Sequence, residues 1–446
     1  PNPAGAPGPV AVASARLAAG APPSAPADPD IGDIAPLPGP RDLAGAAGRG
    51  NRTGHEAIAM APVSHAPEIS APAVLPQVML QPLTGLAGPS SAFAARAPQE
   101  RPILLKQNGG TRQSEDAVDR GLAYLAWSQE PDGRWTRVTD DAPPGHRPPG
   151  MHDMACTGLA LLAFLARDQT PDKPCQYRDT VAKAADFLIS QQESDGDMRG
   201  PSALRGGGAD HANMYDHGIA SFAIGELAAM TRDPRYTQAA LKAADFTVAA
   251  QNPQTGGWRY IPGEPGDSSV FGWQIMSLHT AELLGFAIPQ STRDGANKFI
   301  GQVSQGEFGM LSSYQGHGAP TPPMTAEILF SRMLLHHKLT EPEMIEATSF
   351  LDQQKPNPGN PDLYYWYYAS LSMLQMNDTG RLATGQWKDW NTQTRDTLIS
   401  MQQKGGYWDT NIRWGDRGGR IFTTAIATLT LEVYYRYLPL QPTTRP

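Results

Sequence analysis

From Ser114 onward the chain alternates between two patterns of apolar residues. The first is amphipathic. In Lys242-Ala-Ala-Asp-Phe-Thr-Val-Ala-Ala-Gln251 apolar positions recur at helical spacing, and the Gly-containing turn Asn252-Pro-Gln-Thr-Gly-Gly-Trp258 stops the helix. The second is apolar on nearly every side, as in Asp267-Ser-Ser-Val-Phe-Gly-Trp-Gln-Ile-Met-Ser-Leu278. Lys183-Ala-Ala-Asp-Phe-Leu-Ile-Ser-Gln-Gln192 repeats the first pattern about sixty residues earlier, the mark of a repeat whose units bury their faces only by stacking on neighbours.

Twelve helical stretches follow in six pairs. A helix starting at Ser114 and stopped at Gln129 pairs with Ala155 to Ala166, Arg178 to Gln192 with Tyr215 to Met230, and Tyr236 to Gln251 with Val270 to Phe286. Thr292 to Val303 pairs with Met324 to His337, Glu341 to Gln353 with Leu363 to Met376, and Asn391 to Gln403 with Phe422 to Leu438. First members carry charges at helical spacing, and second members are filled with Ala, Gly, Ser, Thr and Leu. A charged face meets water, whereas a helix apolar all round is covered on both sides. The pattern therefore predicts an all-α fold, an (α/α)6 barrel of six helical hairpins with the second members inside. An open solenoid would need polar capping repeats at its ends, and none is evident.

The first hundred residues are rich in Pro, Ala and Gly, with too few aromatics to offset chain entropy. Residues 1–110 are expected to form a disordered or loosely draped segment or linker, and 111–446 the toroid. The 446 residues carry 36 Lys and Arg against 44 Asp and Glu, a net charge of -8 without a basic cluster, which argues against a nucleic-acid partner. No apolar run reaches the length of a membrane span. The chain opens on Pro1 rather than Met, so removal of an upstream signal and an extracytoplasmic location are expected. Cys156 and Cys175 form at most one bridge, and their pairing stays open.

The turns Gln129-Glu-Pro-Asp-Gly-Arg-Trp135, Gln251 to Trp258 and Gln402-Gln-Lys-Gly-Gly-Tyr-Trp408 resemble the Gln-to-Gly-Trp repeats of the squalene cyclase and protein prenyltransferase β-subunit superfamily, the prenyltransferase/squalene oxidase repeats of terpenoid cyclases. The resemblance covers 114–438 and implies the α/α toroid, with a central cavity that binds or processes isoprenoids. The cyclase acid motif Asp-x-Asp-Asp-Thr-Ala is not intact: the matching position reads Asp267-Ser-Ser-Val, and Asp140-Asp141 lacks a third acid at metal-binding spacing. Transferases of the superfamily hold zinc through Asp, Cys and His. Here His152, Asp153 and Cys156 lie within one helical turn, and His217, next to Asp216, starts the second inner helix. If those helices are neighbours, His152, Asp153, Cys156 and His217 form a candidate zinc set, although the spacing differs from the family motif and no other cofactor is implied.

Candidate catalytic residues are accordingly Asp153, Asp216, His217 and Asp267. Candidate substrate-binding residues are Trp273, His317, Tyr364 and Trp366, whose rings attract apolar or cationic groups, and Arg417 and Arg420, which suit a diphosphate unless Asp416 pairs with them. An apolar small molecule or a protein is the expected partner. Two alternatives remain: a non-catalytic toroid that binds a protein or cell-envelope partner, and a carbohydrate-active α/α barrel, to which Gly256-Gly-Trp-Arg-Tyr260 bears a short likeness.

Overall fold

The computed structural model describes residues 91–138, 143–145, 147–206, 211–378, 382–383 and 385–437. Outer and inner helices alternate along the chain: α2 (Arg112–Ser128) with α3 (Asp153–Ala166), α4 (Arg178–Ser190) with α5 (Met214–Thr231), and α6 (Pro234–Ala249) with α7 (Ser268–Leu283). The second half adds α8 (Gln290–Val303) with α9 (Pro322–Leu334), α10 (Glu341–Asp352) with α11 (Leu363–Asp378), and α12 (Gln386–Met401) with α13 (Gly415–Leu431). Each inner helix packs on the next, and α13 returns to α3, while α12 packs against α2. The ring is therefore closed. Every residue of α3 except Ala155 is buried, as befits a helix covered on both faces.

The Gln-to-Gly-Trp turns hold the ring by one repeated device. Gln129, Gln192, Gln251 and Gln402 each donate from Nε2 to the carbonyl of a glycine in their own turn, Gly133, Gly196, Gly256 and Gly406. The same amide group donates a second time to a carbonyl in the first half of the next outer helix, at Thr180, Ala239, Thr292 and Ala117 respectively. Trp135, Trp258 and Trp408 donate their indole N–H to Leu125, Thr247 and Leu398 in the preceding helix. The last contact, Gln402 on Ala117 at 2.8 Å, ties the sixth repeat to the first.

Two turns depart from the pattern. After α8 the chain forms a short antiparallel hairpin, β1 (Ser304–Gln305) with β2 (Leu311–Ser312), and the Glu346 carboxylate on α10 accepts the N–H groups of Phe308 and Met310. After α10, Gln393 of α12 donates back to Pro356 at 2.9 Å. Both replace the glutamine clasp with another side chain across the same gap.

The expected boundary of the loose segment is corrected at its C-terminal end. Residues 91–110 are built into the toroid as a 3-10 helix (Ser91–Arg96) and α1 (Arg101–Gln107). Arg96 is fully buried, forked over the Glu226 carboxylate at 2.9 and 3.0 Å and over the Arg436 carbonyl, and the Asn108 carbonyl accepts from Trp387 and Asn391. Arg436, from the short α14 (Val433–Arg436), reaches Glu226 at 3.2 Å and the Leu162 carbonyl at 3.4 Å. These groups close the end of the barrel where the inner helices terminate. Residues 1–90 and the Asp140-Asp141 pair lie outside the described residues.

Candidate ligand-binding site at the inner-helix mouth

The opposite end, where the inner helices start, gathers the polar chemistry. Asp267 caps α7: its Oδ1 accepts from the Val270 N–H and the Ser269 hydroxyl at 2.9 Å, and its Oδ2 accepts from the Tyr314 hydroxyl at 2.9 Å. Arg259 lies 3.3 Å from the same Oδ2 and also pairs with Glu264. Tyr260 and Tyr314 share a hydroxyl contact of 2.9 Å. Burial raises the Asp267 carboxyl to about 6 against these hydrogen bonds.

Deeper in, Glu327 of α9 is fully buried, and burial drives its carboxyl well above the usual range. The Tyr364 hydroxyl lies 2.8 Å from Glu327 Oε2 and 3.0 Å from the Ser269 carbonyl. A phenol has one proton to give. The phenol therefore donates to one of the two oxygens at a time, and Glu327 keeps much of the cost of its burial. It fits against α7 only because residue 272 is glycine, where a methyl group would fall 2.3 Å from Oε1.

Below this pair the axis is filled. Trp273 stacks on Tyr367 at 6.3 Å and meets Tyr368 and Tyr364 at 5.6 and 6.5 Å. Phe222 follows at 6.5 Å, and Arg436 sits 5.5 Å above its ring, continuous with the Arg96–Glu226 network. Trp273 and Phe222 are each 1% exposed and Tyr367 and Tyr368 0%, so this part of the interior is packed side chain rather than an open tunnel. At the mouth, Tyr215, Tyr260 and Tyr364 are half-buried and Met151 and Ile261 exposed.

The other expected residues divide between the mouth and the frame. Asp216 accepts from the N–H groups of Asn213 and Ala155 and lies 3.0 Å from His152 Nδ1, so it splices the starts of α3 and α5. Asp153 is raised by burial to about 6, lies 3.2 Å from Arg134 and accepts from the Gly150 N–H. His217 faces away, between α5 and α6: Nδ1 accepts from the Met198 N–H at 3.1 Å, which leaves Nε2 to donate to Thr247 at 2.8 Å. Burial lowers it to about 4, so it stays neutral.

The candidate zinc set is therefore not brought together, because both His217 nitrogens are spent on the frame. Among the described residues no three His, Cys, Asp or Glu side chains are placed to share a metal ion. Cys156 and Cys175 are both free thiols, Cys156 turned toward the Gly418 carbonyl at 3.9 Å and Cys175 toward Thr170.

Arg417 stands 4.0 Å from Asp416, whereas Arg420 pairs with Asp409 and lies over Tyr407 at 4.4 Å. His317 is exposed on the loop before α9, and Trp366 is buried at 2%.

Sequence reasoning missed Glu327, Tyr260 and Tyr314. The first had a signal: an acid in the middle of the apolar run Met324-Thr-Ala-Glu-Ile-Leu-Phe330 must be paired or neutral. The tyrosines had none, since only folding brings residues 260, 314 and 364 to one mouth.

These shifts oppose one another in acid. Asp267 and Asp153 hold protons more tightly folded than unfolded, so they add stability as pH falls from about 6 toward 4. His217, lowered from 6.5 to about 4, removes stability over an overlapping window. Asp267→Asn is expected to steepen the fall of Tm between pH 6 and 4 relative to the parent; equal slopes would show that Asp267 ionises normally.

No protein-family model matches the chain, and no curated protein does. Solved structures match in fold. An inactive variant of an alpha-1,6-mannanase of Salegentibacter sp., in complex with alpha-1,6-mannotetrose, superposes with a TM-score of 0.52 at 9% identity over 73% of this chain and 99% of that one. A variant of the type II terpene cyclase MstE from Scytonema, in complex with geranylgeranyl dihydroxybenzoate, gives 0.49 at 12% identity over 74% and 98%. What the chain shares with them is the α/α toroid.

Proposed function

We propose that the toroid binds an uncharged ligand of isoprenoid type at the inner-helix mouth, with the apolar part against Tyr215, Tyr260 and Tyr364 and the polar end at the Glu327–Tyr364 pair. The observation that carries this reading is the fully buried Glu327 carboxyl, which burial drives well above the usual carboxylate range, held behind a half-buried tyrosine in an aromatic wall. A diphosphate is disfavoured, since Arg259 already faces Asp267 and Glu264. Threading of a polyene along the axis is disfavoured by the packed Trp273, Phe222 and Tyr367 column. The role is binding, with the Glu327 carboxyl and the Tyr364 hydroxyl as the polar groups that meet a bound hydroxyl.

The reading is tested by tryptophan fluorescence titration with farnesol, and with alpha-1,6-mannotriose as the carbohydrate comparison. Farnesol is expected to bind, and Tyr364→Phe and Glu327→Gln to weaken it about tenfold, the equivalent of ~1.4 kcal/mol, with the helical circular dichroism unchanged. Binding of the mannotriose alone, or of neither probe by the folded protein, would refute it.

A further inference from the structure

The outer surface carries a groove that neither the repeat pattern nor the mouth accounts for. It lies between the β1–β2 hairpin and α10, encloses about 540 Å³, and is floored by Phe308, Leu311, Pro342, Ile345 and Phe350. Phe308 is 45% exposed and Ile345 53%, two of the six large apolar side chains left in water among the described residues. An apolar patch rimmed by polar groups marks a contact surface more often than a scattered exposed residue does.

The groove is held in shape. Glu346 accepts N–H groups from Phe308 and Met310 and so fastens the hairpin to the outer helix. Arg332, from the inner helix beneath, donates to the Gly309 carbonyl at 3.0 Å and fixes the far side of the same loop. This is the one turn where the hairpin replaces the glutamine clasp described above, and Phe308 lies between its two strands.

The rim is of one sign. Glu307, Glu341 and Glu346 line the groove, and no Lys or Arg does. Glu346 is spent on the hairpin, but Glu307 and Glu341 are exposed. We infer that this groove docks a basic peptide segment of a partner protein, one that sets an apolar side chain between Phe308 and Ile345 and lysines or arginines against Glu307 and Glu341. The charge complementarity speeds and orients the encounter, and the apolar floor retains it.

The test is fluorescence anisotropy on the full chain with a labelled octapeptide carrying two lysines on each side of a Leu-Phe pair, against the same peptide with glutamates for lysines. The basic peptide is expected to bind and the acidic one not, with affinity falling several-fold between 50 and 200 mM salt. Ile345→Asp and the double variant Glu307→Lys with Glu341→Lys are each expected to weaken binding at least tenfold while the circular dichroism stays unchanged. The proposal is overturned if the basic peptide does not bind, if it binds both variants as well as the parent, or if the acidic peptide binds equally. It is also overturned if sedimentation shows a dimer that Ile345→Asp abolishes, because the occupant is then a second copy of this chain. None of these outcomes depends on the mouth.

Discussion

Glu226→Ala is expected to cost about 3–5 kcal/mol, among the largest effects of any single substitution in this chain, because it removes the carboxylate that two buried arginines contact directly. Arg96, Glu226 and Arg436 are each 0% exposed, and the carboxylate takes 2.9 and 3.0 Å contacts from Arg96 and 3.2 Å from Arg436. Neither guanidinium can shed its proton to escape the cost. The loss is expected first where the network is least covered by other packing, in the 3-10 helix (Ser91–Arg96). Urea unfolding reads the total, and limited proteolysis after Arg96 reads the release. Arg96→Met is expected to be milder, since Arg436 keeps its partner and the methionine still fills the space. An unchanged urea midpoint in Glu226→Ala would show that the network adds nothing.

The second large effect is expected at Gly256, where alanine is wrong twice. The residue sits at φ 79°, in the left-handed region, and a Cβ there would fall 1.9 Å from the Gly295 carbonyl oxygen of the next outer helix. The first problem alone costs roughly 1–2 kcal/mol. The second forces α8 off the turn and with it the Gln251 clasp on Thr292. Gly263 separates the two contributions: its φ is 77°, but a Cβ there meets nothing within 4 Å. Gly263→Ala is therefore expected to lower Tm by the strain alone, and Gly256→Ala to lower it several degrees further or to leave the protein insoluble. Equal losses at the two positions would mean that the close approach of turn and helix carries no weight.

The ring was legible in the sequence because its causes are local or periodic. The charged faces of the first members, the apolar second members and the glycine-tryptophan stops each follow from helical spacing and turn chemistry within a dozen residues. The candidate site was legible only in part. Asp267 and Tyr364 stand at helix starts, where a reader looks, and the structure places both at the mouth. His217 stands at a helix start too, yet one turn of the helix faces it outward to Thr247, and no local pattern tells inward from outward on a helix buried all round. Arg96 marks the other limit: a lone arginine in a Pro- and Ala-rich stretch looks solvated until the acid it meets, 130 residues away, is known.

The clasp from Gln402 to Ala117 has a last consequence. In an open stack of hairpins the outermost ones are held on one side only, and they peel away first while the middle persists. Here every hairpin has two neighbours, so melting has no loose end from which to spread. The unit is expected to come apart in a single cooperative step, with amide protons in the first and sixth hairpins exchanging as slowly as those in the third.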